Sequence, residues 1–290
     1  MNSLAEKFVA AAGTRTRVVQ GGPAREPILF LHGGVSGATL YCSGAHIWSP
    51  CLGRFAAGRR VAAPDLPGFG ETPAPEGGAA VDRAGRYVLA LIDALGLAPC
   101  HLVGHDEGGL IALWSALEAP AKIRSVGVVA GGAVAPSGDS VASLALLNPP
   151  RPLWSRAAQA WALERLSHAP HHITPDLLDL CAACAGAPPH CDAITGAGRS
   201  FLASIAPAKA RLYAHCRERA FPVPVQLVWA RNDPLASVEQ GMALFKLIAE
   251  RQRATQFHVI NRAGSLPFRE QPEAFHAVVS AFHDGIAAEH

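Results

Sequence analysis

The sequence predicts an α/β domain built on a mostly parallel central sheet with helices on both faces. Short apolar runs that stop at Gly, Asp or Asn alternate with stretches of helical periodicity, which is the pattern of successive βα units. The runs show little polar alternation, as expected of strands covered on both faces. Gly and Pro are abundant, at 28 and 23 of 290 residues, which suits many tight turns between short buried elements.

Taken in order, Phe8 to Gln20 with Gly13 at its middle reads as an antiparallel hairpin at a sheet edge. Pro27-Ile28-Leu29-Phe30-Leu31 is a strand ending at His32-Gly33-Gly34, and Arg60 to Pro64 is one ending at Asp65. Cys100 to Val103, Val126 to Val129, Val225 to Trp229 and Phe257 to Ile260 are further strands. Helices are predicted over Tyr87–Leu95, Leu110–Leu117, Val238–Ile248 and Pro272–Phe282, each with apolar residues at helical spacing. The alternation lapses between about 133 and 220, where Leu144–Leu147, Trp154–Leu166 and Leu177–Cys184 look helical and no strand stands out. The expected organisation is a core of residues 1–132 and 221–290 with a helical lid of residues 133–220. The lid would lie above the carboxyl ends of the strands, where ligands of open α/β sheets bind.

Composition excludes several classes. Half the residues are hydrophobic and 17% are charged, so the chain is not of the disordered type. A net charge of +2 provides no footprint for nucleic acid. No apolar run approaches the roughly 18 residues of a membrane span. The start lacks the apolar stretch of a signal peptide, and seven cysteines form an odd set unlike a secreted disulfide framework. A cytoplasmic enzyme for a small molecule is the expectation, with no cofactor and with a homodimer left open.

The strongest local signal is Leu102-Val103-Gly104-His105-Asp106-Glu107-Gly108-Gly109, which follows a strand and opens a helix. Glycines around Asp106 permit the sharp strand-to-helix turn that presents a nucleophile. With the His32-Gly33-Gly34 loop, Asp65-Leu66-Pro67-Gly68-Phe69-Gly70, Arg231-Asn232-Asp233 and Arg262 to Glu270, this order of motifs resembles the α/β-hydrolase fold over nearly the whole chain. Within it the sequence resembles the meta-cleavage-product hydrolases, which cut carbon–carbon bonds. The resemblance implies Asp106 at the nucleophile position, Asp233 at the acid position, Ser265 at the place of the family's histidine, and the N–H groups of Gly34 and Glu107 as oxyanion donors.

Two departures shape the expected chemistry. Aspartate at the elbow resembles haloalkane dehalogenases and epoxide hydrolases, and a carboxylate is anionic at neutral pH without a base. Those enzymes' Trp after the Asp is Glu107 here. Ser265 is too weak a base to activate water, a task that suits imidazole. His105 and His32 are the candidate replacements, while His258 reads as a core residue and His168, His171 and His172 as part of a solvated loop. At Thr174 to Cys181 there is no Arg to hold a substrate carboxylate, Leu266 stands where a Trp is usual, and the lid is rich in Ala, Leu and Cys. The expected ligand is therefore apolar and uncharged. Asp106 would serve as nucleophile or as general acid/base. The alternatives are a lyase, isomerase or cyclase on the same scaffold, or a ligand-binding pseudo-hydrolase. Cys181 and Cys184 with His190 and Cys191 have a loose zinc-like spacing, but the first two share a helix face, so no metal is expected.

Overall fold

The computed structural model describes residues 4–74, 78–136, 146, 148–193 and 197–288. Eight strands form one sheet in the order β1-β2-β4-β3-β5-β6-β7-β8. β1 (Ala5–Ala11) and β2 (Thr14–Gly21) are the expected hairpin, in antiparallel register from Ala5 opposite Gln20 to Ala11 opposite Thr14. Ala12 and Gly13 close it at φ 47° and 77°, the left-handed pair whose twist matches a two-residue hairpin. β2 pairs antiparallel with β4 (Val61–Pro64). β3 (Ile28–Leu31), β5 (Cys100–His105), β6 (Ile123–Val129), β7 (Val225–Ala230) and β8 (Gln256–Ile260) continue the sheet in parallel.

Between the strands run α1 (Cys51–Ala56), α2 (Val81–Leu95) and α3 (Glu107–Glu118). Between β6 and β7 stand α4 (Arg156–Leu166), α5 (Pro175–Gly186), α6 (Pro188–Ala193) and α7 (Ala197–Glu218). The chain closes with α8 (Val238–Ala249), α9 (Pro267–Glu270) and α10 (Pro272–Ala288). The termini follow local chemistry. Thr174 caps α5 with Pro175 in its first turn. Ser237 and Gln240 form a capping box on α8. Gly96 ends α2 in the left-handed conformation, φ 60°. α2 begins six residues before the periodic stretch that predicts it. α1 was not anticipated, being six residues long with Gly53 inside. The Leu144–Leu147 segment falls, save for residue 146, outside the described residues.

The strands are double-sided as expected. On β3, Leu29 and Leu31 face a cluster that includes Val88, Leu91 and Leu113 of α2 and α3. Ile28 and Phe30 face the opposite cluster, with Trp48, Phe55, Phe268 and Phe275. β7 divides the same way, Leu227 and Trp229 to one side and Val228 and Ala230 to the other. β8 departs from this pattern. It is the outer edge, and His258 is half-buried beside Gln256 rather than in the core, because no further strand covers it.

Histidine does occupy the core elsewhere. His101 of β5 stacks on His283 of α10 with ring centroids 4.0 Å apart. His101 Nδ1 meets Ser125 Oγ at 2.8 Å, while His101 Nε2 and both His283 nitrogens have no partner. Burial pulls His101 down to about 3 and His283 well below its usual value. Depressed histidines favour the fold above the unfolded value of about 6.5, and that stability is lost as pH falls toward the folded values. Thermal unfolding should therefore move down between pH 6.5 and 4, by roughly 1.4 kcal/mol per pH unit for each such histidine. His283→Phe should flatten the slope in calorimetry across that window.

Candidate active site

β5 ends at His105 and α3 begins at Glu107, so the chain reverses at Asp106, whose φ and ψ are 45° and −111°. Packing demands glycine on both sides. A Cβ on Gly104 would sit 2.3 Å from Gly108 O, and one on Gly108 would sit 2.4 Å from Leu31 O. The first turn of α3 thus lies directly on the end of β3, and the strained turn lifts the Asp106 side chain into a cavity of about 230 Å³. Asp106, Glu107, Asp233, Ser265, His105 and Tyr41 line it with Leu40, Leu146, Leu166 and Leu235. No lysine or arginine is among the described lining residues.

Three carboxyl groups dominate the cavity. Asp106 Oδ1 accepts the Ala133 N–H at 2.7 Å. Burial, then repulsion from Glu107, drives the Asp106 carboxyl far above the ordinary range. Glu107 Oε2 accepts the Gly34 N–H at 2.7 Å. Burial raises Glu107 also, but hydrogen bonds from Gly34, from its own N–H and from Asp106 oppose that rise. Burial and mutual repulsion thus disfavour the doubly charged pair, with Asp106 held furthest above its ordinary range. Asp233 lies beyond β7, and its Oδ1 accepts from Ser265 Oγ at 2.5 Å, Leu235 N at 2.9 Å and Ala236 N at 3.2 Å. Burial pushes Asp233 up to about 6 despite these donors. Its Oδ2 has no partner.

The candidate bases differ in how far they are committed elsewhere. His32 Nε2 accepts from Leu66 N at 2.9 Å, and its Nδ1–H faces Gly33 O at 2.9 Å. It joins two loops and does not line the cavity. The His105 Nε2–H donates to Ser265 O at 2.9 Å, and burial lowers the ring to about 4. Its Nδ1 lies against Gly33, where a Cβ would be 2.9 Å away. His32 is therefore not placed to take a proton from a ligand at Asp106, which corrects that expectation, whereas His105 lines the cavity with its Nδ1 unpartnered. His172 bonds Ser167 Oγ at 2.7 Å, and the His168 N–H donates to Glu270. The zinc-like spacing does not close. Cys181 and Cys184 approach His46 at 3.6 and 3.9 Å, Cys42 approaches His190 at 3.7 Å, and Cys191 is exposed. No group of three ligands able to hold a metal occurs among the described residues.

Two partners of the site carry no mark in the sequence. Ala133 acts only through its backbone. Glu270 accepts from Gly264 N, His168 N and Ala169 N at 2.6, 2.8 and 3.1 Å. With Ser265 N donating to Leu166 O at 2.7 Å, it fastens the end of α4 to the Ser265 loop.

Residues 28–278 match the alpha/beta hydrolase family. The chain belongs to that family. The family fold also appears in a 2-hydroxy-6-oxo-6-phenylhexa-2,4-dienoate hydrolase from Rhodococcus sp. strain RHA1, with a TM-score of 0.79, 18% identity, and coverage of 98% of this chain and 100% of that one. A 2-hydroxymuconate semialdehyde hydrolase of Pseudomonas sp. (strain CF600) is 26% identical over 281 residues, 94% of this chain and 92% of that protein. Curated relatives also include proteins that the chain spans for less than half their length. One is a haloalkane dehalogenase of Psychrobacter cryohalolentis (strain ATCC BAA-1226 / DSM 17306 / VKM B-2378 / K5), 37% identical over 116 residues, 39% of this chain and 36% of that protein. The resemblance to meta-cleavage product hydrolases read from the motifs thus extends to whole-chain relatives. No described helix is long and apolar enough to cross a membrane.

Ser265→Ala removes one donor from the Asp233 carboxylate. The raised Asp233 already costs the fold stability as pH climbs through about 6, and losing the hydroxyl should extend that loss. Urea unfolding at pH 8 should show a deficit of roughly 1.5–3 kcal/mol against the parent, shrinking at pH 5 where the carboxyl is protonated.

Proposed function

We propose that this member of the family acts on a small, uncharged, largely apolar organic molecule by proton transfer, with Asp106 as acid and Glu107 as base. One observation carries the reading. The two carboxyls are hydrogen-bonded neighbours of unequal proton affinity, Asp106 pushed further up than Glu107. Two carboxyls in contact hold one proton between them around neutrality. A protonated Asp106 is a poor nucleophile and a ready donor. Glu107 takes a proton from water or from a substrate carbon, and Asp106 returns one to the leaving group or to another carbon. The first pairing is a hydrolysis by direct attack of water, a reaction class in keeping with whole-chain relatives named as hydrolases. The second is an isomerisation or elimination without water. Asp233, held by Ser265, adds repulsion that keeps the proton on the pair.

The aliphatic lining and the lack of a described cation in it support the uncharged substrate. They disfavour the anionic products implied by the relatives' names. A second reading keeps Asp106 as nucleophile, favoured by its place on the strained turn at the head of α3. Among the described residues the imidazole lining the cavity is that of His105, buried and lowered to about 4, a weak base for activating water, so an ester formed there would turn over slowly.

Assays over neutral enol, vinylogous ketone and ester substrates should give a bell-shaped kcat/KM, rising as Glu107 ionises and falling as Asp106 does. Asp106→Asn and Glu107→Gln should each lower it about 10²- to 10⁴-fold. Intact mass after incubation with 1-bromobutane or styrene oxide should show no adduct. A stable adduct that vanishes in Asp106→Asn would replace the acid/base reading with the nucleophilic one, and tight binding without turnover across the set would make the protein a receptor.

A further inference from the structure

α7 of the insertion sends two side chains, one turn apart and so on one face, to the loop that leaves β6. Lys209 Nζ donates to Ala135 O at 2.6 Å, and Tyr213 Oη donates to Val134 O at 2.5 Å. The adjoining residue, Ala133, gives its N–H to Asp106 Oδ1 at 2.7 Å. The loop between these contacts is tight. Val134 N and Ala135 N both bond Gly131 O, at 3.0 and 2.9 Å, and both residues are wholly buried. A Cβ on Gly131 would lie 2.5 Å from a Val128 methyl, so the turn is pressed onto the strand. A shift of α7 therefore moves the Ala133 N–H rather than being absorbed by slack.

We propose that Tyr213 and Lys209 are positioning residues that fix the proton affinity of Asp106 through the 133–135 loop. Hydrogen bonding to a carboxylate favours its ionised form, and the Ala133 N–H opposes the upward push on Asp106. The other groups facing Asp106 are Glu107 beside it, Asp233 from beyond β7, and Tyr41 from the loop after β3. Neutral His105 and Ser265 line the same cavity. Lys209 itself, half-buried on α7, is a cationic group whose charge interacts with Asp106. Lys209 thus works twice, by holding the loop and by its charge, whereas Tyr213 works only by holding the loop. Both effects have the same sign, and loss of either residue leaves Asp106 more reluctant to ionise. Only the kinetic consequence rests on the acid/base reading; the structural relay does not.

The test follows Asp106 directly by carboxyl NMR on protein labelled with 13C-aspartate, with Asp106→Asn assigning the resonance. Tyr213→Phe deletes one hydroxyl and leaves the ring in place. It should move the Asp106 midpoint upward. Lys209→Met should move it further, and Lys209→Arg should bring it most of the way back. In kinetics, the alkaline limb of kcat/KM should shift to higher pH with KM unchanged, so that activity measured on that limb rises roughly three- to tenfold. An unmoved Asp106 midpoint in variants that keep the parent's circular dichroism overturns the relay, even if their unfolding temperature drops. A moved midpoint with an unmoved kinetic profile upholds the relay and rejects Asp106 as the acid.

Discussion

Two carboxyl groups meet at the head of α3, largely withdrawn from water, and burial with mutual repulsion disfavours both being charged at once. Other parts of the site are arranged around this conflict. The strained turn at Asp106 brings the groups together, since a helix packed on the end of β3 leaves the side chain no other course. Backbone N–H groups from two different loops, Gly34 and Ala133, then divide the pair, one donor to each carboxyl. The third carboxyl, Asp233, is quieted by a serine where the family resemblance implies an imidazole. A charged ring there would neutralise the cavity. The hydroxyl adds no charge to offset the three carboxyl groups.

Much of this was legible in the chain because it is local. Gly104, Asp106 and Gly108 lie within five positions and announce a sharp turn. The strands announce themselves by unbroken apolar runs, and the hairpin by Gly13. What could not be read depends on pairs far apart. Gly34 and Glu107 are separated by 73 positions, and no property of either residue predicts that the carboxylate of one occupies the N–H of the other. His105 and His32 looked like bases because imidazole titrates near neutrality. His32 spends both ring nitrogens on the backbone of Leu66 and Gly33, and His105 spends Nε2 on Ser265 O while its Nδ1, buried against Gly33, has no partner. His258 misled for another reason: an apolar run says how a strand is built, not whether another strand will lie beside it.

The helical insertion is bound to the core at chemically telling places. α4 ends on the Ser265 loop through Leu166 O, and Glu270 gathers three N–H groups across the same seam. Arg269 extends the seam on the core side, giving its guanidinium to the carbonyls of Ile47 and Ser49. The end of α4, whose Leu166 lines the cavity, and the Ser265 loop are therefore parts of one hydrogen-bonded unit.

The thiols carry a consequence of their own. Cys42, Cys51, Cys100, Cys181 and Cys216 are buried, Cys184 is partly covered, and burial discourages thiolate formation in all six. Alkylating or spin-bearing reagents, which seek an accessible sulfur anion, are left with Cys191 on α6. The unaltered chain thus offers a single attachment point for a fluorophore or nitroxide, sited on the insertion, where it can report on how that part of the molecule moves.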